Sequence, residues 1–201
     1  RTRAQSRPPS DQMEHPSQAP LYSTIIEPNS ISEALLSGLI SSFTAGEQSQ
    51  DLSDPHLTVQ VSYELFDEGT VGEHLVKLAA KTRPVAIQVA GVGILTSPHD
   101  SHYFHVHLQV TRTPALVDLH DQVTEIVHRA NGRPYLFSAK EWKPHLTIAS
   151  GRLKAGQLRR FVEELRGHEL DFAFVADGLT LSKRADIGWE QIGHYGFSKA
   201  F

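Results

Sequence analysis

The sequence predicts an α+β domain with helices packed outside antiparallel sheets. Segments that alternate with a period of two interleave along the chain with segments of helical spacing. A Pro-His-Leu-Thr tetrapeptide occurs twice and opens a predicted strand each time. At 201 residues, 39% of them hydrophobic, the chain is long enough for one domain of ordinary size or for two small lobes sharing a cleft.

Leu21–Glu27 reads as the first strand. Ser30–Phe43 follows as a helix, with Ile31, Ala34, Leu35, Gly38 and Leu39 at helical spacing and Ser30 and Glu33 spaced as a capping box. A polar, serine-rich connection over Thr44–Asp54 leads to His56–Leu65, where Leu57, Val59 and Val61 alternate with His56, Thr58 and Gln60 as in a half-buried strand. Glu68–Lys81 is predicted helical and ends before Pro84. Two strands follow, Val85–Leu95 and Tyr103–Val110, with Gly91 and Gly93 permitting a bend or a close approach. The spacing of Leu116, Leu119, Val123, Ile126 and Val127 predicts a helix over Ala115–Ala130, closed by Asn131 and Gly132. A strand over Trp142–Ser150, a helix over Lys154–Arg166 and two strands near Phe172–Ser182 and Trp189–Phe197 complete the order. Residues 1–19, rich in Ser, Pro, Gln and Arg, are expected to form a disordered N-terminal tail, and residues 20–201 the domain.

The absence of cysteine excludes disulfides, thiolate metal sites and a cysteine nucleophile, and it favours a cytoplasmic setting. A net charge of −4 argues against a protein that coats long nucleic acid, which needs a broad basic footprint, but it suits a small or terminal phosphate. No apolar run reaches the length of a membrane span, so no membrane association is expected.

The two tetrapeptides lie in Asp54-Pro55-His56-Leu57-Thr58-Val59 and Lys143-Pro144-His145-Leu146-Thr147-Ile148. On a strand, His56 and Thr58 share one face, as do His145 and Thr147, while the leucines face the core. Two such strands brought together can frame a phosphate. Each imidazole has both protonation states available near neutral pH, and each threonine hydroxyl can donate to a non-bridging oxygen. One histidine would take a proton from water while the other gives one to the departing ribose oxygen. That chemistry requires neither cofactor nor metal. The bland alternative is two satisfied histidines at strand starts, with threonines there for their β propensity.

On these two His-x-Thr motifs the sequence resembles the two-histidine (2H) phosphoesterase superfamily, in particular the RNA 2′,3′-cyclic phosphodiesterase group, also called 2′-5′ RNA ligase-like proteins. The resemblance runs from Leu21 to the C-terminus and includes Ala90-Gly91-Val92-Gly93 between the motifs. It implies a bilobal fold, with two pseudo-symmetric lobes whose antiparallel sheets flank a central cleft. It implies His56 as acid, His145 as base, and Thr58 and Thr147 as phosphate ligands. It further implies hydrolysis of a terminal 2′,3′-cyclic phosphate to a 2′-phosphate, with reversible 2′-5′ ligation conceivable. The sequence departs from the group at Val61-Ser62-Tyr63, where a Phe-Leu-Gly segment is usual, and at Ser150, where an arginine is usual.

Further substrate contacts are expected from His105 and His107, which share one strand face, and from Arg152, Lys183, Arg184 and Tyr195. A solvated face is the plain alternative for the histidines, and core or rim packing for Tyr195 and Trp142. His99, His102, His105 and His107 invite a metal reading, but no carboxylate lies beside the last two in sequence, and no metal is expected. The expected partners are RNA 3′ ends or cyclic nucleotides, without an obligate protein partner, and the expected state is a monomer. The competing functions are cleavage of 2′-5′ linked oligonucleotides or other cyclic nucleotides, RNA end processing, or nucleotide binding without catalysis.

Overall fold

The computed structural model describes residues 20–44, 55–64, 67–96, 102–134, 140–152, 154–165, 168, 170–186 and 188–199. The expected tail over residues 1–19 and His99 lie outside them.

The order of elements is Leu21–Ile26 (β1), Ser30–Thr44 (α1), Leu57–Glu64 (β2), Glu68–Ala79 (α2), Val85–Thr96 (β3), Tyr103–Val110 (β4), Pro114–Arg129 (α3), His145–Arg152 (β5), Ala155–Leu165 (α4), Phe172–Ala176 (β6), Gly178–Arg184 (β7) and Trp189–Gly196 (β8). The strands form one antiparallel sheet in the order β6-β3-β4-β5-β2-β1-β7-β8. The fold is α+β, as the interleaved periodicities predict. Its two four-stranded halves join between β5 and β2.

Local chemistry fixes the helix ends. Thr113 caps α3 by accepting the Leu116 N–H, with Pro114 in the first turn, and Asn131, at φ 56°, ends the helix in the left-handed region. Asp67 caps α2 by accepting the Thr70 N–H at 3.0 Å. The cap of α1 is Asn29, whose Oδ1 accepts the Ser32 N–H at 3.0 Å, so the Ser30–Glu33 capping box is corrected. The buried stripe of α1 is corrected too: Leu36, Leu39 and Ile40 face the core, whereas Ile31 is 81% exposed. The helix carries two apolar stripes, and packing against β5 selects between them.

A third correction concerns Phe172–Ser182, which alternates like one strand but is divided at Asp177. β6 pairs with β3 at one end of the sheet, and β7 pairs with β1 and β8 toward the other. One residue of chain spans at most ~7 Å between its neighbours' Cα atoms. The sheet must therefore curl enough to bring the end of β6 beside the start of β7. The Asp177 carbonyl accepts the Phe197 N–H at 2.6 Å, which ties the break to the residue just after β8. Buried side chains from both halves and from the helices, Leu57, Leu75, Ile87, Leu116, Leu146 and Leu181 among them, form one continuous core.

Candidate active site

β2 and β5 meet at Leu57 opposite Leu146. Both leucines are fully buried, so their side chains define the core face at the junction. In an antiparallel pair the flanking residues follow by counting: His56 comes opposite Thr147, and Thr58 opposite His145. All four flank the buried leucines in sequence and are half-buried, on the face away from the core. Directly opposed side chains lie ~5 Å apart at Cβ, so the four make a compact square.

The hydrogen bond of His145 fixes its tautomer. Nδ1 lies 2.7 Å from the Lys143 carbonyl oxygen, which can only accept, so Nδ1 carries the proton. In the neutral ring Nε2 is then a proton acceptor. Burial pushes the His145 pKa below the usual imidazole value; the Lys143 hydrogen bond opposes this, and the nearby charge of His56 adds to it.

Trp142 holds the first motif in place from the turn before β5. Its Nε1–H donates to the Thr58 carbonyl at 3.2 Å, across 84 residues of sequence, and its ring stacks on His120 of α3 at 4.4 Å. Trp142 is buried, as its apolar character suggests; nothing local in the sequence indicates that its indole spans the two motifs. Among the described residues no group of three His, Asp or Glu is placed to hold a metal ion. Two imidazoles and two hydroxyls can move two protons and bind two anionic oxygens.

A family model described as the 2′-5′ RNA ligase superfamily matches residues 38–188. The chain belongs to the 2′-5′ RNA ligase superfamily. No curated protein sequence matches it. Among solved structures, it is similar to TT0787 of Thermus thermophilus at 14% identity and TM-score 0.58, covering 90% of this chain and 100% of that one. It is similar to E. coli LigT complexed with 3′-AMP at 12% identity and TM-score 0.56, covering 89% and 98%. LigT complexed with NADP+ gives 15% identity and TM-score 0.57, covering 89% and 99%. At such identities these likenesses establish the shared fold.

In this member of the 2′-5′ RNA ligase superfamily, β4 brings further side chains beside the tetrad. His107 lies opposite Thr147, and its ring centroid is 4.8 Å from that of His145. His105 lies opposite Ser150 and Tyr103 opposite Arg152, so all four extend the His-bearing face along β4 and β5. Burial lowers the pKa of His105, and the charge of His145 lowers it further.

Of the residues predicted on β7 and β8, Arg184 lies on the same face as Thr180 by strand alternation, its guanidinium 5.7 Å from the Trp189 ring. Lys183 and Tyr195 lie on the opposite face, beside α2. Lys183 Nζ is 3.4 Å from Glu68 Oε2 and 5.5 Å from the Tyr22 ring centroid. The Tyr195 hydroxyl approaches Gly72 of α2, and burial, then the Glu68 charge, raises its pKa. Neither side chain joins the tetrad, because alternation along each strand turns it away.

One polar network escaped the sequence reading. Thr58, Ile25, Thr180 and His194 form a row across β2, β1, β7 and β8. At the end of that row the Thr180 hydroxyl donates to Glu27 Oε2 at 2.6 Å and accepts from His194 Nδ1 at 3.0 Å. These three residues come from distant segments with no motif in common.

Proposed function

We propose that this chain is a metal-independent phosphodiesterase that opens a terminal 2′,3′-cyclic phosphate on RNA to a 2′-phosphate. The observation that carries the reading is the pairing of Leu57 with Leu146, which sets two His-x-Thr motifs face to face. A water oxygen attacks phosphorus and loses a proton to His145 Nε2. The bond from phosphorus to O3′ breaks, and the protonated His56 gives O3′ its proton. Thr58 and Thr147 donate to the non-bridging oxygens as charge builds there. The reaction consumes one water and returns a 2′-phosphate and a 3′-hydroxyl.

The test is incubation of the full chain, in EDTA, with an oligonucleotide ending in a cyclic phosphate. The product should gain the mass of one water, and His56→Ala and His145→Ala should each abolish the gain. Full activity in both variants would reject the reading. A 2′-5′ linked oligonucleotide belongs in the same assay, since the superfamily's name points to that linkage. Preferential turnover of it would move the substrate while leaving the four residues in their roles. Tight nucleotide binding without turnover of either substrate would indicate a binding module instead. Supporting a nucleotide ligand, crystal structures of LigT hold 3′-AMP, ATP and NADP+.

A further inference from the structure

His107 belongs to neither motif, and the proposed reaction gives it no step, yet the structure builds a seat for it. Its side chain is 6% exposed, and it lies between His145 on one side and Gly93 of β3 on the other. A Cβ on Gly93 would collide with His107 Nε2 and stand 2.7 Å from Cε1, closer than any real contact, so the ring occupies space that only glycine leaves open. The groups facing the ring are His145 on β5, His105 and Gln109 on its own strand, and Lys143 ahead of β5. β3 contributes Gly93, which has no side chain, and among these neighbours there is no carboxylate. Burial, together with the charges of His145, His105 and Lys143, lowers the His107 pKa to about 4.

We propose that His107, seated in the space left by Gly93, is a positioning residue: it walls one side of His145 off from water and so keeps His145 unprotonated at rest, free to take the proton of the attacking water. An imidazole stripped of water on one side, with no counter-charge there, gains a proton less readily. This role rests on the phosphodiesterase reading for its use in catalysis, but not for its effect on His145.

The experiment is an NMR titration of the histidine ring signals of the full chain, with the His145 signal assigned from His145→Asn. In His107→Ala water reaches the exposed side, and the His145 midpoint should rise toward that of a free imidazole. In His107→Phe an apolar ring of similar size restores the wall, and the midpoint should stay low. Gly93→Ala, by displacing the ring, should raise the midpoint as His107→Ala does, and combining the two should add nothing. The acid limb of the rate–pH profile should move with the midpoint in each variant. An unchanged midpoint in folded His107→Ala would overturn the proposal, as would an equal rise in the Phe variant. Should the Ala variant fail to fold, Gly93→Ala and His107→Phe decide by the same criterion. Because the titration needs no turnover, a chain that titrates as expected but leaves cyclic phosphates intact would sink the substrate reading alone.

Discussion

Leu57 and Leu146 face each other across the junction of β2 and β5, and this pair joins the two halves of the sheet while setting the spacing of the two His-x-Thr motifs. Both are fully buried. Leu146→Ala should cost about 2–5 kcal/mol by lost burial and the cavity it leaves. Urea denaturation would measure that loss. Turnover should fall more than the folded fraction does, because the backbone that relaxes around the cavity carries His145 and Thr147.

The two threonines should separate from the histidines in their kinetic effect. Thr58→Val and Thr147→Val keep the strand and its packing but remove a donor to the charged transition state, so kcat should fall on the order of 10²–10³-fold for each. Fluorescence titration with a nucleotide should show a much smaller change in affinity. An equal loss of affinity and rate would make the hydroxyls ground-state binders.

Acid should destabilise the fold. The unfolded chain protonates His107 near 6.5, whereas the folded chain resists until about 4. Within that window the unfolded state binds the extra proton, so stability is full above it and falls as pH drops through it, by about 3 kcal/mol from this residue. His105, His120 and His145 are shifted in the same direction, chiefly by burial, and add to the loss. Thermal melts between pH 7 and pH 4 would measure the total. His107→Phe should flatten the curve in that range; a curve as steep as the wild type's would remove His107 from the account.

Trp142→Phe retains most of the ring but deletes the N–H that reaches the Thr58 carbonyl. The cost in stability should be about 1 kcal/mol, the net worth of one hydrogen bond plus some unsatisfied carbonyl. Activity should drop through kcat, since the bond holds the Thr58 backbone. A variant with wild-type kcat would make Trp142 a packing residue alone.

Much of the candidate site was legible from the chain because the relevant signals are local. His56 and Thr58 share a face by the period of a strand, as do His145 and Thr147, and the repeat itself announces that the two segments belong together. Gly91 and Gly93 read as points of bending or close approach. Gly91 has φ +80° beside a register shift in β3, and Gly93 makes room for the His107 ring. Lys183 and Tyr195 were harder, because a strand's sequence fixes which residues share a face but not which face meets the cleft. The break at Asp177 was hidden because β6 and β7 have compatible β-forming patterns on either side of it.

By itself, the sequence determined the order of helices and strands apart from the β6–β7 break, the chemistry available to the two repeated motifs, and the exclusion of thiol chemistry. Only the tertiary structure decided that Leu57 meets Leu146, that Trp142 reaches across to Thr58, that α1 buries one of its two apolar stripes, and that the His107 ring stands against that of His145. The physical reason is that periodicity and capping act over a few residues, whereas strand register, burial and the desolvation of a charge are set by partners tens of residues away.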